Sequence, residues 1–218
     1  MKKLFITIAF VAATMFASAQ LYVGGNLGIN MGNTKSDSDV VDKTFAFEFN
    51  PSVGFMFNEN MGVGADFIFS MNKDTHPQIG ENPEGSIKIN YFGIAPYFRY
   101  VFAEVDNFKF YADAKMNFES GKVDKDDDYH ADPDSEWDNF ADGSKITTLG
   151  FNIIPGMAYC FTDNISMNCQ LNILSLGFNT QKITTPVPNE DDNVVKGTQF
   201  GFGVNYPTAI TVGFFYTF

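Results

Sequence analysis

Residues 210–218 read ITVGFFYTF. Ile210, Val212, Phe214, Tyr216 and Phe218 share one parity, and the last side chain is a bare Phe. Chain termini are usually frayed and polar. A period of two carried to the final residue marks a strand with one apolar face. Which way that face points decides the fold.

The same sorting recurs upstream. Leu21, Val23, Leu27, Ile29 and Met31 oppose Tyr22, Asn26 and Asn30. Phe45, Phe47, Phe49, Val53, Phe55 and Phe57 alternate with Ala46, Glu48, Asn50, Ser52 and Gly54. Further strands run around Phe67 and Phe69, around Phe92 to Phe102, around Phe108 to Phe118, from Leu149 to Phe161, and from Ile165 to Ile173. With the segment from Phe200 to Phe218 these make eight strands. Two places break the period: Ile87 and Ile89 have the wrong parity for Phe92, and Leu174, Leu176 and Phe178 slip relative to Ile173. A bulge at each would reconcile them.

The connections alternate in length. NEN after Phe57, AEVDN after Phe102 and TDN after Phe161 are short. The four others are long and polar, the longest running from Gly121 to Lys145. Strict alternation is what an up-and-down barrel of eight antiparallel strands needs.

An eight-stranded barrel is just wide enough for side chains inside. Eight strands of inward Phe would overfill it. The opposite face carries Gly24, Gly28, Ser52, Gly54, Gly64, Gly93 and Gly156, which suit a narrow lumen. Charged residues of that parity, Glu48, Asp66, Arg99, Lys109, Asp113 and Lys115, are expected to pair inside, because an unpaired charge there is costly. They could line a path for small solutes or close the lumen as a salt-bridged plug, and the plug is favoured. Aromatics at the short-turn ends (Phe57, Tyr100, Phe102, Phe108, Tyr159, Phe161, Tyr216, Phe218) read as an interfacial girdle. A soluble, secreted lipocalin-like barrel, with its aromatics turned inward around a ligand, is the alternative and leaves that girdle unexplained.

The ending, with Gly213, Tyr216 and terminal Phe218, resembles the C-terminal signal by which outer-membrane barrels are read by their assembly machinery. From Gln20 to Phe218 the chain resembles the small outer-membrane β-barrel family of the eight-stranded, OmpA-like and OmpX-like kind. The resemblance implies an all-β transmembrane barrel in the outer membrane of a Gram-negative cell, monomeric, with both mature termini periplasmic and four acidic loops outside. It says little of activity, since that scaffold serves many roles. No peptidoglycan-binding domain is expected to follow the barrel.

Export is legible at the other end. Lys2 and Lys3, an apolar run from Leu4 to about Phe16, and Ala17-Ser18-Ala19 form the three parts of a secretory signal over residues 1–19, cleaved between Ala19 and Gln20. The apolar run is shorter than the ~20 residues of a spanning helix. Loss of Lys2 and Lys3 takes the net charge from −12 to −14. So acidic a chain is not built for nucleic acid, whose backbone requires clustered cations. Twenty-five Phe, nine Tyr and nineteen Gly, with Leu scarce, fit β structure.

Chemistry has little foothold. His76 and His130 lie in long loops, and His130 beside Asp126, Asp127 and Asp128 could mimic an acid–His pair. No G-x-S-x-G or H-E-x-x-H motif is present. Asp124, Asp126 and Asp128, followed by Asp132 and Glu136, echo a calcium loop, but Tyr129 stands where that loop needs Gly. Trp137 is a loop contact residue or packs the loop base. Cys160 and Cys169 fall on opposite faces, poor geometry for a disulfide. The expectation is a barrel without cofactor or catalysis, surrounded by outer-membrane lipid and presenting its loops to an extracellular partner. A narrow channel or a conduit for hydrophobic solutes is the competing function.

Overall fold

The computed structural model describes residues 20–35, 41–76, 85–126, 141–171, 174–187, 192–204 and 210–218. They form ten ladder segments: β1 (Gln20–Lys35), β2 (Val41–Met56), β3 (Met61–His76), β4 (Gly85–Val105), β5 (Phe108–Lys125), β6 (Lys145–Cys160), β7 (Ile165–Leu171), β8 (Leu174–Thr185), β9 (Asn193–Val204) and β10 (Ile210–Thr217). All pairings are antiparallel. β6 pairs β7 near the short turns and β8 near the long loops, so β7 and β8 are two halves of one wall strand. β9 and β10 are likewise two halves of the last. The eight wall strands close where β10 pairs with both β7 and β1. Among the described residues this closure lies in the turn-end half; toward the loops β9 pairs with β8 and β1 with β2.

Side-chain direction settles the class. The bulky apolar parity points out: Phe92 is 59% exposed, Phe214 61% and Phe118 43%, while Gly93, Gly121 and Gly213 on the other parity are buried. The lipocalin-like alternative, which turns the aromatics inward, is thereby overturned. No helix among the described residues is long and apolar enough to cross a membrane.

Small inward residues make room for large ones. Gly64 on β3 lies opposite Tyr97 on β4, whose ring lies over it. A Cβ on Gly64 would come 2.5 Å from Tyr97 Cζ and 2.9 Å from the Val53 carbonyl. Gly156 opposite Tyr111 repeats the device on β6 and β5.

The short turns are tied by their own polar groups. Asn58 Oδ1 accepts from the amides of Asn60 (2.9 Å) and Met61 (2.8 Å). Thr162 Oγ1 accepts from those of Asn164 (3.2 Å) and Ile165 (3.0 Å). The connection expected over Ala103–Asn107 is tighter: Val105 pairs with Phe108, and Asp106 takes the left-handed φ of 52° that Asp tolerates in such turns.

The two irregularities come out differently. At β7/β8 the register does slip. Gly156 faces Gln170, so an unbroken ladder would set Ile153 against Ile173, yet it faces Leu176. At Ile87 and Ile89 there is no bulge, contrary to expectation. The alternation of β4 runs unbroken through them and turns both inward, 1% and 2% exposed, against Val123 and Ile146. Tyr91 and Ile183 complete this apolar cap. The parity misled because the loop-end rim of the lumen is apolar where the middle is polar. The one bulge in the β4–β5 ladder lies near the turn, between Val101 and Ala103.

Gly64→Val should lower the temperature at which the folded band converts to the unfolded one on a gel, since overpacking of this kind costs about 1–3 kcal/mol. Ala65→Val, on the outward parity, should leave the transition near its original place.

Candidate functional site: the charged lumen

Four of the charged residues sorted inward by the sequence meet in the middle of the barrel. Arg99 and Asp113 are direct cross-strand partners on β4 and β5. Arg99 Nε donates to Asp113 Oδ1 and Nη2 to Oδ2, each at 2.8 Å, a bidentate pair. Gln170 Nε2 donates to the same Oδ2 at 2.9 Å. Asp113 is completely buried and Arg99 nearly so. Burial of an ion pair is tolerable when its remaining lone pairs are satisfied, and Gln170 contributes to that.

Aromatic faces hold the guanidinium from the sides. Its carbon lies 3.9 Å from the Tyr111 ring centroid, 5.4 Å from Tyr97 and 5.9 Å from Tyr22. Planar Arg suits this stacking, where Lys would not reproduce it. The tyrosine hydroxyls close the layer: Tyr22 and Tyr97 are hydrogen-bonded at 2.9 Å, and Ser52 and Tyr97 at 3.0 Å.

The second pair spans three strands. Lys115 on β5 reaches past β4, over Tyr97, to Asp66 on β3; its Nζ donates to Oδ2 at 2.6 Å. Ala95 stands opposite Asp66 on the intervening strand, and its small side chain leaves the path open.

Glu48 and Lys109, expected in the same cluster, stand apart from it. Glu48 accepts a hydrogen bond from Asn50 and borders a cavity of about 330 Å³ on the loop side of the plug, with Asp66, Lys115, Asn117 and Glu119. Lys109 lies at the turn-end mouth, 3.5 Å from Glu104 and half exposed. The bulge at Val101/Ala103 sets these two opposite each other. There they border a larger cavity of about 610 Å³, which reaches up to Arg99 and Tyr111. The ion pairs thus separate two chambers.

Parity alone sets Tyr22, Tyr97, Ser52 and Gln170 on the inward face and says nothing of this hydrogen-bonded layer. Their signal was large or hydrogen-bonding residues among glycines.

The remaining candidates fall elsewhere. Asp124 accepts from Lys122 Nζ at 2.8 Å and from Asn90 Nδ2 at 3.2 Å, and the lysine holds its carboxyl below the usual range. Asp126 is exposed beyond β5. Asp128, Asp132, His130, Trp137 and Ala19 lie outside the described residues, and His76 ends β3. Among the described residues no three His, Cys, Asp or Glu side chains are grouped to hold a metal. Cys160 and Cys169 are free thiols; Cys160 borders the turn-end chamber, and Cys169 faces outward Met157 on the neighbouring strand.

At the C-terminus Gly213 packs against Asn26, with no room for a Cβ. Tyr216 and Phe218 stand outward as an edge-to-face pair, centroids 4.9 Å apart. The Phe218 amide donates to the Leu21 carbonyl at 2.9 Å, and the Thr217 amide to the Asn164 carbonyl at 2.7 Å.

Asp113→Leu alone should destabilise the barrel by about 3–5 kcal/mol, because it strands a buried guanidinium. The double change Arg99→Met with Asp113→Leu should recover most of that loss. Urea unfolding followed by the gel shift measures both; equal loss in the single and double variants would deny the pair its role.

Known proteins place this architecture. No curated protein matches the chain in sequence. Among solved structures the chain is similar to the outer membrane protein OprG from Pseudomonas aeruginosa, at 12% identity over 92% of this chain and 95% of that one, with a TM-score of 0.50. It also aligns with Neisserial surface protein A at 14% identity, over 92% and 96% of the two chains, with a TM-score of 0.37. A major outer membrane protein from Thermus thermophilus aligns at 14% identity over 92% and 100%, with a TM-score of 0.38. The first likeness is one of fold. The model of the outer membrane protein beta-barrel domain matches residues 4–207, nearly the whole chain, and the protein belongs to that outer-membrane family.

Proposed function

We propose that the protein is a non-enzymatic, monomeric outer-membrane barrel, closed to solutes, that presents its long loops at the cell surface. The observation that carries this reading is the pair of ion bridges across the lumen. Arg99–Asp113 and Lys115–Asp66 are short, buried and flanked by three tyrosines. Opening a path would require parting charges in a narrow interior, which is costly. A barrel so closed is a stable pedestal, and its variable output is left to the loops.

The turn end is then periplasmic and the loop end external. The aromatics of the turn end fit the inner interface: Phe108, Tyr159 and Phe161 pack in a row, tilted and then edge-to-face, with centroids 4.9 and 5.0 Å apart. The leader, residues 1–19, is removed before assembly, and the terminal Gly213, Tyr216 and Phe218 are the signal read by the assembly machinery. A loop partner outside the cell completes the reading.

The second reading, a narrow conduit, has one observation in its favour. Chambers of about 610 and 330 Å³ lie on either side of the plug, so that one layer of side chains alone divides them.

Purified barrel in planar bilayers should give no conductance steps, and Arg99→Ala with Asp113→Ala should introduce them. Discrete steps from the unaltered protein would favour the conduit. N-terminal sequencing of protein from the outer-membrane fraction should begin at Gln20; a chain that keeps Met1 would refute cleavage.

A further inference from the structure

Eight wall strands carry eight lysines at one level. On the outward parity, Phe45 is followed toward the loops by Lys43 and Met71 by Lys73. On the others a polar residue intervenes: Phe92, Asn90, Lys88; Phe118, Ser120, Lys122; Leu149, Thr147, Lys145; Phe178, Thr180, Lys182; Phe200, Thr198, Lys196. Lys35 holds the corresponding position at the end of β1, after Met31 and Asn33. The chain has fourteen cationic residues, two of them Lys2 and Lys3, so this ring takes eight of the remaining twelve. In a chain of net charge −12 such placement is not a by-product of composition.

Register makes the ring unstable on its own. Lys73 stands directly opposite Lys88, Lys122 opposite Lys145, and Lys182 opposite Lys196. Like charges directly opposite on neighbouring strands are destabilising. Within the described strands one carboxylate, Asp124, shares these outward positions; it accepts from Lys122 and stands directly opposite Lys88, so its single charge serves two of the three pairs. The six paired lysines still outnumber it, and the pairs are left as clamps for an anion from outside. Lys73, Lys122, Lys145, Lys182 and Lys196 are exposed and Lys88 is half exposed.

Depth identifies the anion. A lysine two to four residues beyond the last apolar side chain lies about 7–13 Å further along the strand, and less along the membrane normal once the strand tilts. That is the head-group layer just outside the hydrocarbon. The turn end has aromatics at this depth instead, with its lysine, Lys109, in the mouth of the lumen. The two interfaces therefore differ: the turn end turns aromatics outward and keeps its lysine in the lumen mouth, and the loop end turns lysines outward.

We infer that the lysine ring docks the barrel onto a leaflet of multiply phosphorylated lipids, each cross-strand lysine pair holding a head-group phosphate. Assignment to the outer leaflet rests on the proposed orientation with the loops outside. The ring fixes the barrel's height in the membrane and gathers phosphorylated lipid around its loop end.

The test uses the full chain in phosphatidylcholine vesicles with and without lipid A. Lipid A should raise the temperature of the gel-shift transition by several degrees, on the order of 5 °C. Combined Lys88→Gln, Lys145→Gln and Lys196→Gln, one change per clamp, should lose most of that gain; the three corresponding Arg changes should keep it, and so should Lys109→Gln. Lipid A co-isolated with each variant, counted by mass, gives the same comparison where a transition is poorly resolved. A gain retained by the Gln variant, or absent from the unaltered protein, overturns the inference. Protease added to intact cells tests orientation separately: cleavage at the loops supports the outer leaflet, and full protection overturns that assignment whatever the lipid A result.

Discussion

Inside a bilayer no water is present to satisfy a backbone amide or carbonyl, and each one left unpaired costs several kcal/mol. A sheet that crosses must therefore have no edge there. Everything else in this protein follows from that constraint. Closure depends on the last segment, β10, which pairs with β7 on one side and β1 on the other. The Phe218 amide is spent on the Leu21 carbonyl, so the ladder reaches the final residue. This is why the segment ITVGFFYTF keeps the strict alternation of a wall strand.

Closure at eight strands leaves a lumen barely wider than its side chains. Tyr97 and Tyr111 fit because Gly64 and Gly156 have no side chain beneath them. The charges fit because they are matched at the level of register: Arg99 with Asp113 on adjacent strands, Lys115 with Asp66 one strand further. The interior is thus a polar core, with hydrogen bonds and ion pairs doing what apolar packing does in a soluble domain. Toward the loops the logic reverts, and Ile87, Ile89, Val123 and Ile146 form an ordinary apolar cluster inside the same wall.

Much of this was legible in the sequence, because strand parity is a strict period and the membrane makes both of its faces strict. The outward aromatics, the alternation of short and long connections and the inward charges all follow from counting by two. Pair identity was not legible. Six inward charges allow several matchings, and the register between strands, which parity does not fix, selects among them. It sends Lys109 to Glu104 at the mouth and leaves Glu48 with Asn50. Ile87 and Ile89 look out of phase in the sequence because the inward face is apolar at the loop end and polar elsewhere. The slip between β7 and β8 announced itself, since a shift by an odd number of residues must exchange the two faces.

The bond between Phe218 and Leu21 also governs how the barrel forms in time. Every other ladder joins segments that lie close along the chain, chiefly neighbours in hairpins, and can zip locally. The β1–β10 ladder joins the two ends of the described chain, Tyr22 with Thr217. Non-local contacts are slow because the entropy of the whole intervening loop is lost before they form. Seam closure is accordingly the committing step, and until it happens both terminal strands expose bare edges able to pair with any other strand at hand. A chain missing only its last few residues would retain nearly all of its contacts yet remain an open, self-associating sheet.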